Sequence, residues 1–353
     1  MTPAIPIFDG HNDVLGRLQH TRPEQFLERN TEGHLDLPRA REGGLAGGLF
    51  AVFAEDPARK PLDERMTFTD GGFWGELEGP VDATLALRQA LTGMACLFRL
   101  EAAAAGALRV VRTADELDAC LDGGVFAAVL HFEGAEPIDP GLDALHVFYQ
   151  AGLRSLGPVW SRPNVFGTGV PFRYPATPDW GGGLTPAGRA LVQTCNVLGV
   201  LIDLAHMNEK GFWDVARLST APLVVTHAGA AAITPSARNL TDSQLDAIGE
   251  SDGLVGVTYF VADLREDGRW DVETPISQIV KHVRYIAERI GVAHVALGSD
   301  FDGARIPAAL GDVTGLPRLM AALRAAGFDD AELHQIAHAN WQRVLRATWR
   351  GGA

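Results

Sequence analysis

Short apolar runs alternate along the whole chain with longer segments of mixed polarity. Eight of these runs are rich in β-branched residues, which is typical of buried strands. Their alternation with helical segments predicts repeated βα units around a parallel sheet. The runs lie near residues 4–13, 43–53, 125–134, 153–160, 198–206, 222–229, 253–260 and 294–303.

The segments between these runs carry helix signals. The stretch "LALRQALTGMACLFRLEAA" has apolar residues three and four positions apart, and "TPAGRALVQTCNVLG" begins with a Thr cap and Pro and ends at Gly199. Eight βα repeats predict an α/β fold, specifically a (β/α)8 TIM-like barrel, with residues 1–353 forming one domain.

Two stretches rich in Gly and Pro interrupt the repeats. Residues 54–80 include Pro57, Pro61, Gly71 and Gly72, and "RPNVFGTGVPFRYPATPDWGGG" follows the fourth predicted strand. Long loops within a compact domain usually serve as lids or binding loops. We therefore expect both stretches to form irregular insertions above the barrel.

The charge and the apolar profile exclude several classes of partner. The formal net charge is −14 and no basic run offsets it, which argues against nucleic acid and acidic membrane surfaces. The first residues lack the features of a secretory signal, and no segment has the length of uninterrupted apolar sequence needed for a membrane span. We expect a soluble, cytoplasmic protein whose scattered Cys96, Cys120 and Cys195 are reduced, packed thiols.

Side chains capable of binding a metal lie at the ends of five predicted strands. The active sites of (β/α)8 barrels lie at the carboxyl ends of their strands, so this placement is informative. His11 and Asp13 lie two positions apart, share a face and can reach one cation. Imidazoles and carboxylates suit a zinc-like ion, and a carboxylate has two oxygens with which to bridge two ions. The candidates are His11, Asp13, Glu133, His206, His227 and Asp300.

Each candidate also has a structural interpretation. His206 or His227 alone is more often a hydrogen-bonded core residue, Glu133 could form a salt bridge, and Asp13 could cap a helix. Joint placement at one end of a barrel favours the metal site. Many binuclear barrel hydrolases bridge their two metal ions with a carboxylated lysine at the end of a strand. The three lysines of this chain lie off the predicted strands, so Glu133 is the candidate for the bridging residue.

Two other histidine motifs receive different interpretations. His334 and His338 in "HQIAH" have the spacing of a helical zinc pair but lack the Glu of a metalloprotease, so we place them on a helix surface. His131 shares a face with Glu133 and is expected to support the ligands rather than to bind a metal.

Six motifs, in order, carry a resemblance to a known family. They are "FDGHND", "HFEGAEP", "LIDLAHM", "VVTHAGA", "ARNLTD" and "GSDFDG", and they span most of the chain. The chain resembles the membrane dipeptidase (renal dipeptidase) family of binuclear zinc peptidases in the amidohydrolase superfamily. By analogy only, the resemblance also suggests a homodimer.

The resemblance implies a role for each candidate. His11, Asp13 and Glu133 would hold one zinc ion, and Glu133, His206 and His227 the other. Asp300 resembles the acid–base residue beside a metal-bridging hydroxide, although it could also be a loop-capping aspartate, a role that suits Asp302 better. Arg238 matches the arginine that binds the substrate's free carboxylate, with a surface arginine as the alternative.

The chain departs from the family pattern after the fourth strand. Mammalian members carry a substrate-contacting histidine there, and Trp160 in "LGPVWSRPNVFG" takes its place. Arg162 or Asn164 could supply part of the lost polar contact. Trp160 either lines the pocket or is a core residue under the lid.

These expectations favour a zinc-dependent dipeptidase that cleaves small dipeptides with a metal-bridging hydroxide. One alternative is another metal-dependent amide or ester hydrolase of the same superfamily, for example one acting on N-acyl amino acids. A non-catalytic metal-binding scaffold is disfavoured, because Asp300 accompanies the ligands and structural zinc sites are usually closed, cysteine-rich shells.

Overall fold

The structure is a computed structural model that describes residues 5–56, 58 and 60–350. Two sequence predictions extend beyond that range: Ala4 of the first predicted strand and Pro57 of the first insertion lie outside the described residues. The one-domain prediction for residues 1–353 likewise includes both undescribed ends and stays a prediction.

Strands are short and mostly buried. Each of the eight predicted runs contains one parallel strand, so the predicted positions are confirmed. The strands are β1 Ile7–Asn12, β2 Leu45–Phe53, β3 Thr67–Thr69, β4 Gly72–Trp74, β5 Leu108–Val110, β6 Phe126–Glu133, β7 Ser155–Leu156, β8 Arg173–Tyr174, β9 Leu201–Ile202, β10 Val224–Ala228, β11 Leu254–Val257 and β12 Val295–Leu297.

Helices follow most strands, and several begin at a residue whose side chain caps them. Thr185 accepts the Gly188 N–H at the start of α6, and Gly199 ends that helix at φ 74°, in the left-handed region that favours glycine. A π-helical turn over Gln335–Ala339 separates the last two helices. The helices are α1 Val14–Leu18, α2 Leu37–Gly43, α3 Ala83–Ala103, α4 Ala114–Gly123, α5 Asp143–Ala151, α6 Pro186–Leu198, α7 Glu209–Leu218, α8 Asp242–Glu250, α9 Val261–Leu264, α10 Ser277–Ile290, α11 Leu316–Ala325, α12 Asp330–His334 and α13 Asn340–Thr348.

The parallel strands form a curled α/β sheet in two parts. One part has the order β1-β2-β6-β7-β9, with β5 also paired to β6, and the other has the order β10-β11-β12. Single parallel bridges, Asp203 with Val224 and Asn12 with Phe301, connect the two parts at both edges. The carboxyl ends of the strands therefore face one side of the molecule.

The core has two layers, on the two faces of this sheet. The larger cluster lies between the strands and the helices. The smaller one joins apolar residues from successive strands, and α13 packs against it through Trp341, whose indole N–H donates to the carbonyl oxygen of Leu297 at 3.1 Å. Its strand members include Phe8, Leu49, Val129, Leu201, Val224, Leu254 and Ala296. The polar site lies at the other end of these strands.

The two predicted insertions are more ordered than the sequence indicates. Strands β3 and β4 from the first insertion and β8 from the second form a three-stranded antiparallel sheet. The prediction of irregular structure was wrong for these segments. Aromatic side chains of this sheet, such as Phe73, pack with Phe260 and Trp270 in a separate apolar cluster.

Cys96, Cys120 and Cys195 are free and buried, as predicted. Burial raises the pKa of the Cys195 thiol to about 12. No helix within the described residues is both long and apolar enough to cross a membrane.

Candidate metal centre and substrate pocket

The six predicted site residues converge at the carboxyl ends of the parallel strands. His11 belongs to β1, Glu133 is the last residue of β6, and His227 belongs to β10. Asp13 directly follows β1, His206 lies four residues after β9, and Asp300 lies three residues after β12. Asp13 occupies the N-cap position of α1 but its side chain accepts no capping hydrogen bond, so the helix-cap alternative is not supported.

Glu133 lies at the centre of the group. Its Oε1 is 3.0 Å from His206 Nε2 and 3.6 Å from Nε2 of both His11 and His227. Asp13 Oδ2 lies 3.3 Å from His11 Nε2 on the other side. One carboxylate thus faces three imidazoles that come from three different parts of the sheet.

Three overlapping sets of side chains could each hold a metal ion. They are His11 with Asp13 and Asp300, Glu133 with His206 and His227, and His11 with Asp203 and His227. Within each set the ligand atoms lie within 4.8 Å of one another. Asp203 in "LIDLAH" is a member that the sequence analysis missed, although it lies next to the end of β9.

The donor atoms fit a bound cation. Both ring nitrogens of His11 are buried and lack a hydrogen-bond partner among the described residues, and such unpaired buried polar atoms are costly. His206 Nε2 and His227 Nε2 lie 3.1 Å apart, so at most one of them can carry a proton in that contact. A cation between the Nε2 atoms of His206 and His227 would satisfy both, and a bond to a metal would satisfy one ring nitrogen of His11.

Hydrogen bonds at the Nδ1 atoms orient the imidazoles of His227 and His206. The Thr226 hydroxyl donates to Asp203 Oδ2 at 2.7 Å, so its oxygen accepts the Nδ1 proton of His227 at 2.9 Å. In that tautomer His227 Nε2 carries no proton, and its lone pair can coordinate a metal ion. The Ser161 hydroxyl contacts His206 Nδ1 at 2.7 Å in a similar position.

His131 supports the site without entering the glutamate cluster. Its Nδ1 pairs with the Ser155 hydroxyl at 2.8 Å, and its Nε2 lies 3.6 Å from Asp203 Oδ2. Its ring also stands edge-on to His11, with centroids 5.4 Å apart. This is the supporting position that the sequence predicts.

Backbone strain is concentrated in the loops that carry the site. His206, Asp300 and Asp302 have φ values of 65°, 61° and 67°, in a region that residues other than glycine rarely adopt. Such conformations cost about 1–3 kcal/mol each and persist only where the surroundings impose them. Gly303 is required beside them, because a Cβ there would collide with the carboxylates of Asp13 and Asp300.

A buried pair of side chains fixes the Asp300 loop to β1. Asp9 accepts hydrogen bonds from the Ser299 N–H and hydroxyl, both at 2.7 Å. The Asp300 N–H donates to the carbonyl oxygen of His11 at 3.0 Å. The proposed acid–base residue is therefore tied directly to a proposed ligand.

The pKa shifts of the clustered side chains indicate that the centre favours positive charge. Burial lowers the pKa of His11, but the carboxylates of Glu133 and Asp13 outweigh burial and raise it to about 10. Burial and the neighbouring Asp13 raise the pKa of Asp300 to about 7, and burial raises that of Glu133 well above its usual value. A cation would stabilise all three carboxylates in their charged form.

Arg238 lies in the same pocket. Its side chain is buried, and within the described residues its guanidinium forms no ion pair and donates one long hydrogen bond of 3.4 Å to the carbonyl oxygen of His227. Asp263, which also lines the pocket, accepts a 2.7 Å hydrogen bond from the Ser236 hydroxyl beside Arg238. A buried guanidinium without a carboxylate partner is suited to an anionic ligand.

The metal centre opens into a cavity of about 580 Å³. Its lining includes Asp13, Glu133, His206, Arg238 and Asp300 together with aromatic residues from the loops above the sheet. The aromatic residues are Phe53, Trp160, Phe172, Phe260 and Trp270, and of these the sequence analysis anticipated only Trp160.

Comparisons with known proteins agree with this centre. The family described as "Membrane dipeptidase (Peptidase family M19)" matches residues 1–350. The chain belongs to this family. A solved metallo peptidase from Rhodobacter sphaeroides, liganded with a phosphinate mimic of the dipeptide L-Ala-D-Ala, is 49% identical, with a TM-score of 0.94 over 98% of this chain and 99% of that one.

Two curated relatives extend the comparison. An uncharacterized protein in the pqqA 5' region of Klebsiella pneumoniae is 49% identical over 73% of this chain and 95% of its own length. The dipeptidase ataJ of Aspergillus terreus is 26% identical over 97% of this chain and 84% of its own length. The predicted family and enzyme class are confirmed: the protein is a metallopeptidase that hydrolyses dipeptides.

The departure from the mammalian pattern of this family lies on the cavity wall. Trp160 is 9% exposed, lines the cavity and stands 5.5 Å from the His206 ring, measured between centroids. The side chain is thus mostly buried and lies on the cavity wall next to His206, and its contact with a substrate stays a prediction.

Arg162 and Asn164 do not reach the cavity. Arg162 is buried, pairs with Glu136 at 2.8 Å and donates to the carbonyl oxygen of Ala54 at 2.5 Å. Asn164 donates to the carbonyl oxygen of Pro158 and accepts the N–H of Phe166, both at 2.8 Å. Both side chains are committed to holding the loop, which does not support the predicted substrate contacts.

The remaining predicted positions have structural partners. Asp302 accepts hydrogen bonds from Arg17 and from the backbone N–H of His34, so it ties loops together as the sequence suggests. His334 is exposed, while His338 is half-buried at the π-helical turn, with ring centroids 5.6 Å apart. Neither histidine lies in a group of three or more metal-capable side chains found within the described residues.

Proposed function

We propose that this dipeptidase works with two divalent cations, with zinc as the expected metal. His11, Asp13 and Glu133 would hold one ion, and Glu133, His206 and His227 the other. The observation that carries the proposal is the placement of Glu133 Oε1 within 3.0–3.6 Å of three imidazoles. Five ligands are too many for one tetrahedral zinc but suit two ions that share a carboxylate.

Two such ions would supply an activated water and polarise the scissile carbonyl. Asp300 is half-buried and groups with Asp13 and His11, where its carboxylate can accept a proton and deliver it to the leaving amine. Its loop is held by Asp9 and Ser299, which keeps the carboxylate in place during proton transfer.

We propose small dipeptides with a free C-terminal carboxylate as substrates. The buried guanidinium of Arg238, which forms no ion pair among the described residues, supports this assignment, because a carboxylate would complete its hydrogen bonding. The Rhodobacter sphaeroides relative is liganded with a dipeptide mimic, which is consistent with a substrate of this size.

The test compares kcat/KM for dipeptides, their C-terminal amides and N-acyl amino acids. Arg238→Ala should weaken the use of free dipeptides by about tenfold or more and remove the disadvantage of the amides, because it deletes a contact worth roughly 1.5–3 kcal/mol. Arg284→Ala, which changes an exposed arginine on α10, is the control. Undiminished discrimination against amides would place the carboxylate contact elsewhere, and a preference for N-acyl amino acids would favour the alternative hydrolase.

Two further proposals concern the whole chain. We propose that the eight parallel strands close into a (β/α)8 barrel, supported by the single bridges at both edges and by the apolar cluster that joins successive strands. The homodimer stays a prediction from family analogy, which light scattering of the purified protein would test.

A further inference from the structure

Five aromatic side chains form a continuous wall of the cavity, which we call the aromatic belt: Phe53, Trp160, Phe172, Phe260 and Trp270. Neighbouring ring centroids are 4.9 Å apart for the first pair, 5.5 Å for the second, 6.5 Å for the third and 5.0 Å for the last. These separations are typical of interacting aromatic rings. The belt therefore presents one apolar surface along the cavity.

The belt and Arg238 line the same cavity. The backbone N–H of Ala237 donates to the carbonyl oxygen of Arg173, next to Phe172, at 3.0 Å. On the other side, Asn239 donates to the carbonyl oxygen of Asp263, three residues after Phe260, at 2.8 Å. Hydrogen bonds thus fix the Arg238 loop between the backbone segments that carry Phe172 and Phe260.

Chemistry then determines which part of a substrate meets the belt. The Cα that carries the bound carboxylate also carries the side chain of the C-terminal residue. A carboxylate at Arg238 therefore directs that side chain into the cavity that Phe172 and Phe260 also line. This step rests on the proposed carboxylate-binding role of Arg238.

The buried Arg162 side chain packs against the end of the belt formed by Phe53 and Trp160. The Arg162 guanidinium carbon lies 4.8 Å from the Phe53 ring centroid and 5.2 Å from that of Trp160. Its ion pair with Glu136 keeps the guanidinium in place. Pre-arranged apolar walls favour ligands of matching shape, because little ordering is required on binding.

The cavity also has polar lining residues, among them Arg17, Gln19 and His20. Arg17 is paired with Asp302 at 3.1 Å and so does not offer a free charge to a substrate side chain. The aromatic rings supply the apolar part of the lining that a side chain of the C-terminal residue could contact.

We propose that the aromatic belt is the subsite for the side chain of the C-terminal residue and that it selects aromatic and large aliphatic residues there. Small side chains leave the rings uncovered, and a charged side chain placed against the rings loses hydration. Additional apolar groups in a hydrophobic pocket commonly change kcat/KM by about tenfold or more.

The experiment measures kcat/KM of the metal-loaded enzyme for dipeptides that share an N-terminal alanine. The C-terminal residue is Ala, Leu, Phe, Asp or Lys, each supplied in both L and D forms so that stereochemistry does not mask the side-chain effect. Within the better-used stereochemical series, Leu and Phe should exceed Ala by about tenfold or more, and Asp and Lys should fall below Ala. A series with Leu and Phe at the N-terminal position is the positional control.

Variants test whether the belt produces this preference. Phe260→Ala and Phe172→Ala should reduce the Phe-to-Ala ratio by about tenfold while changing the rate with the alanine dipeptide less. Phe260→Leu, which keeps an apolar side chain, should retain part of the ratio and guards against a simple folding defect. Trp180→Ala removes an exposed tryptophan outside the cavity and should leave the ratio unchanged.

The outcomes separate this inference from the proposed function. Equal use of the alanine and phenylalanine dipeptides, or a preference confined to the N-terminal residue, would overturn the belt assignment while leaving dipeptide hydrolysis intact. Failure to discriminate between free and amidated dipeptides would instead remove the carboxylate role of Arg238. An unchanged ratio in stable Phe260→Ala and Phe172→Ala proteins would also overturn the assignment.

Discussion

At the scale of single residues, Asp300 combines a strained backbone with a carboxylate that lines the cavity. Its φ is 61°, and its N–H is held by the carbonyl oxygen of His11 at 3.0 Å. Strain that the surroundings impose in this way is common where a side chain must be aimed at a reacting group. This imposed conformation supports the proposed acid–base role of Asp300.

We expect Asp300→Asn to lower kcat by about 10²-fold or more with little change in KM, because it removes a positioned acid–base group but keeps the shape of the side chain. Metal content and fold should be unchanged. Steady-state kinetics with metal analysis of the same samples would check this. Near-normal turnover in a fully metallated variant would exclude Asp300 from proton transfer.

Ser299 is expected to position Asp300 without touching the substrate. Ser299→Ala deletes one of the hydrogen bonds to the buried Asp9 and should lower the free energy of unfolding by about 1–3 kcal/mol. It should also lower kcat while KM stays constant, because only the placement of Asp300 changes. Ser299→Thr retains the hydroxyl and should restore both quantities, whereas an unaltered kcat in Ser299→Ala would show that the tie is structural only.

The sequence could predict the candidate ligands that converge in the structure, because each lies in a short motif at the end of an apolar run. Asp203 has the same position but was missed, since one aspartate before "LAH" has no spacing of its own that marks a ligand. The aromatic belt could not be found in this way. Its residues come from separate loops, and loops carry no periodicity that would reveal which side chains meet.

At the scale of elements, helix α10 holds the Arg238 loop through one histidine. His282 is fully buried, its Nδ1 accepts the N–H of Ala230 at 2.9 Å, and its Nε2 contacts the carbonyl oxygen of Leu264 at 3.1 Å. Because Nδ1 must accept, the ring is neutral with its proton on Nε2. Protonation of Nδ1 would place an N–H of the ring directly opposite the N–H of Ala230, and this hydrogen bond would be lost.

This tautomer predicts a pH-dependent stability. Burial lowers the pKa of His282 to about 4 from 6.5, and Lys281 lowers it further while the Leu264 carbonyl and Glu266 oppose the shift. The unfolded chain binds the proton first, so the contribution of His282 is complete above pH 6.5 and is lost as the pH falls toward 4. The loss is on the order of 3 kcal/mol.

Urea unfolding at several pH values would measure this loss. His282→Gln, which cannot titrate, should flatten the decline between pH 6.5 and 4 relative to the unaltered protein, and His146→Gln at an exposed position on α5 is the control. Subtracting the curves removes the contribution of every other titrating group. Parallel curves for the unaltered protein and His282→Gln would refute the assignment.

Elements differed in how well the sequence predicted them. The eight parallel strands were predicted because each is an apolar run rich in β-branched residues, a local property. The sheet of β3, β4 and β8 was not, because it pairs Phe73 with Tyr174 across about a hundred residues that include other elements. Such pairing depends on how the whole fold brings two insertions together.

At the scale of the whole molecule, the metal centre connects distant parts of the chain. Its proposed ligands come from β1, the loop after it, β6, the loop after β9 and β10. Without a cation, buried carboxylates and imidazoles face one another at 3.0–3.6 Å. Metal binding should therefore stabilise the fold as well as enable catalysis.

We expect full activity to require two divalent ions per chain, and chelation to lower the thermal midpoint as well as abolish hydrolysis. A ligand that binds only the folded state at 100 times its Kd stabilises it by about 2.7 kcal/mol, so the shift should be easily measured. Metal analysis, activity and thermal unfolding would be followed together as the metal-free protein is titrated. His334→Ala, which alters the exposed member of the helical histidine pair, should leave the metal content at two, because that pair lies outside the metal-capable groups found within the described residues.

Full activity with a single equivalent of metal would contradict the binuclear centre, and a thermal midpoint unaffected by chelation would show that the strands are positioned without the metal.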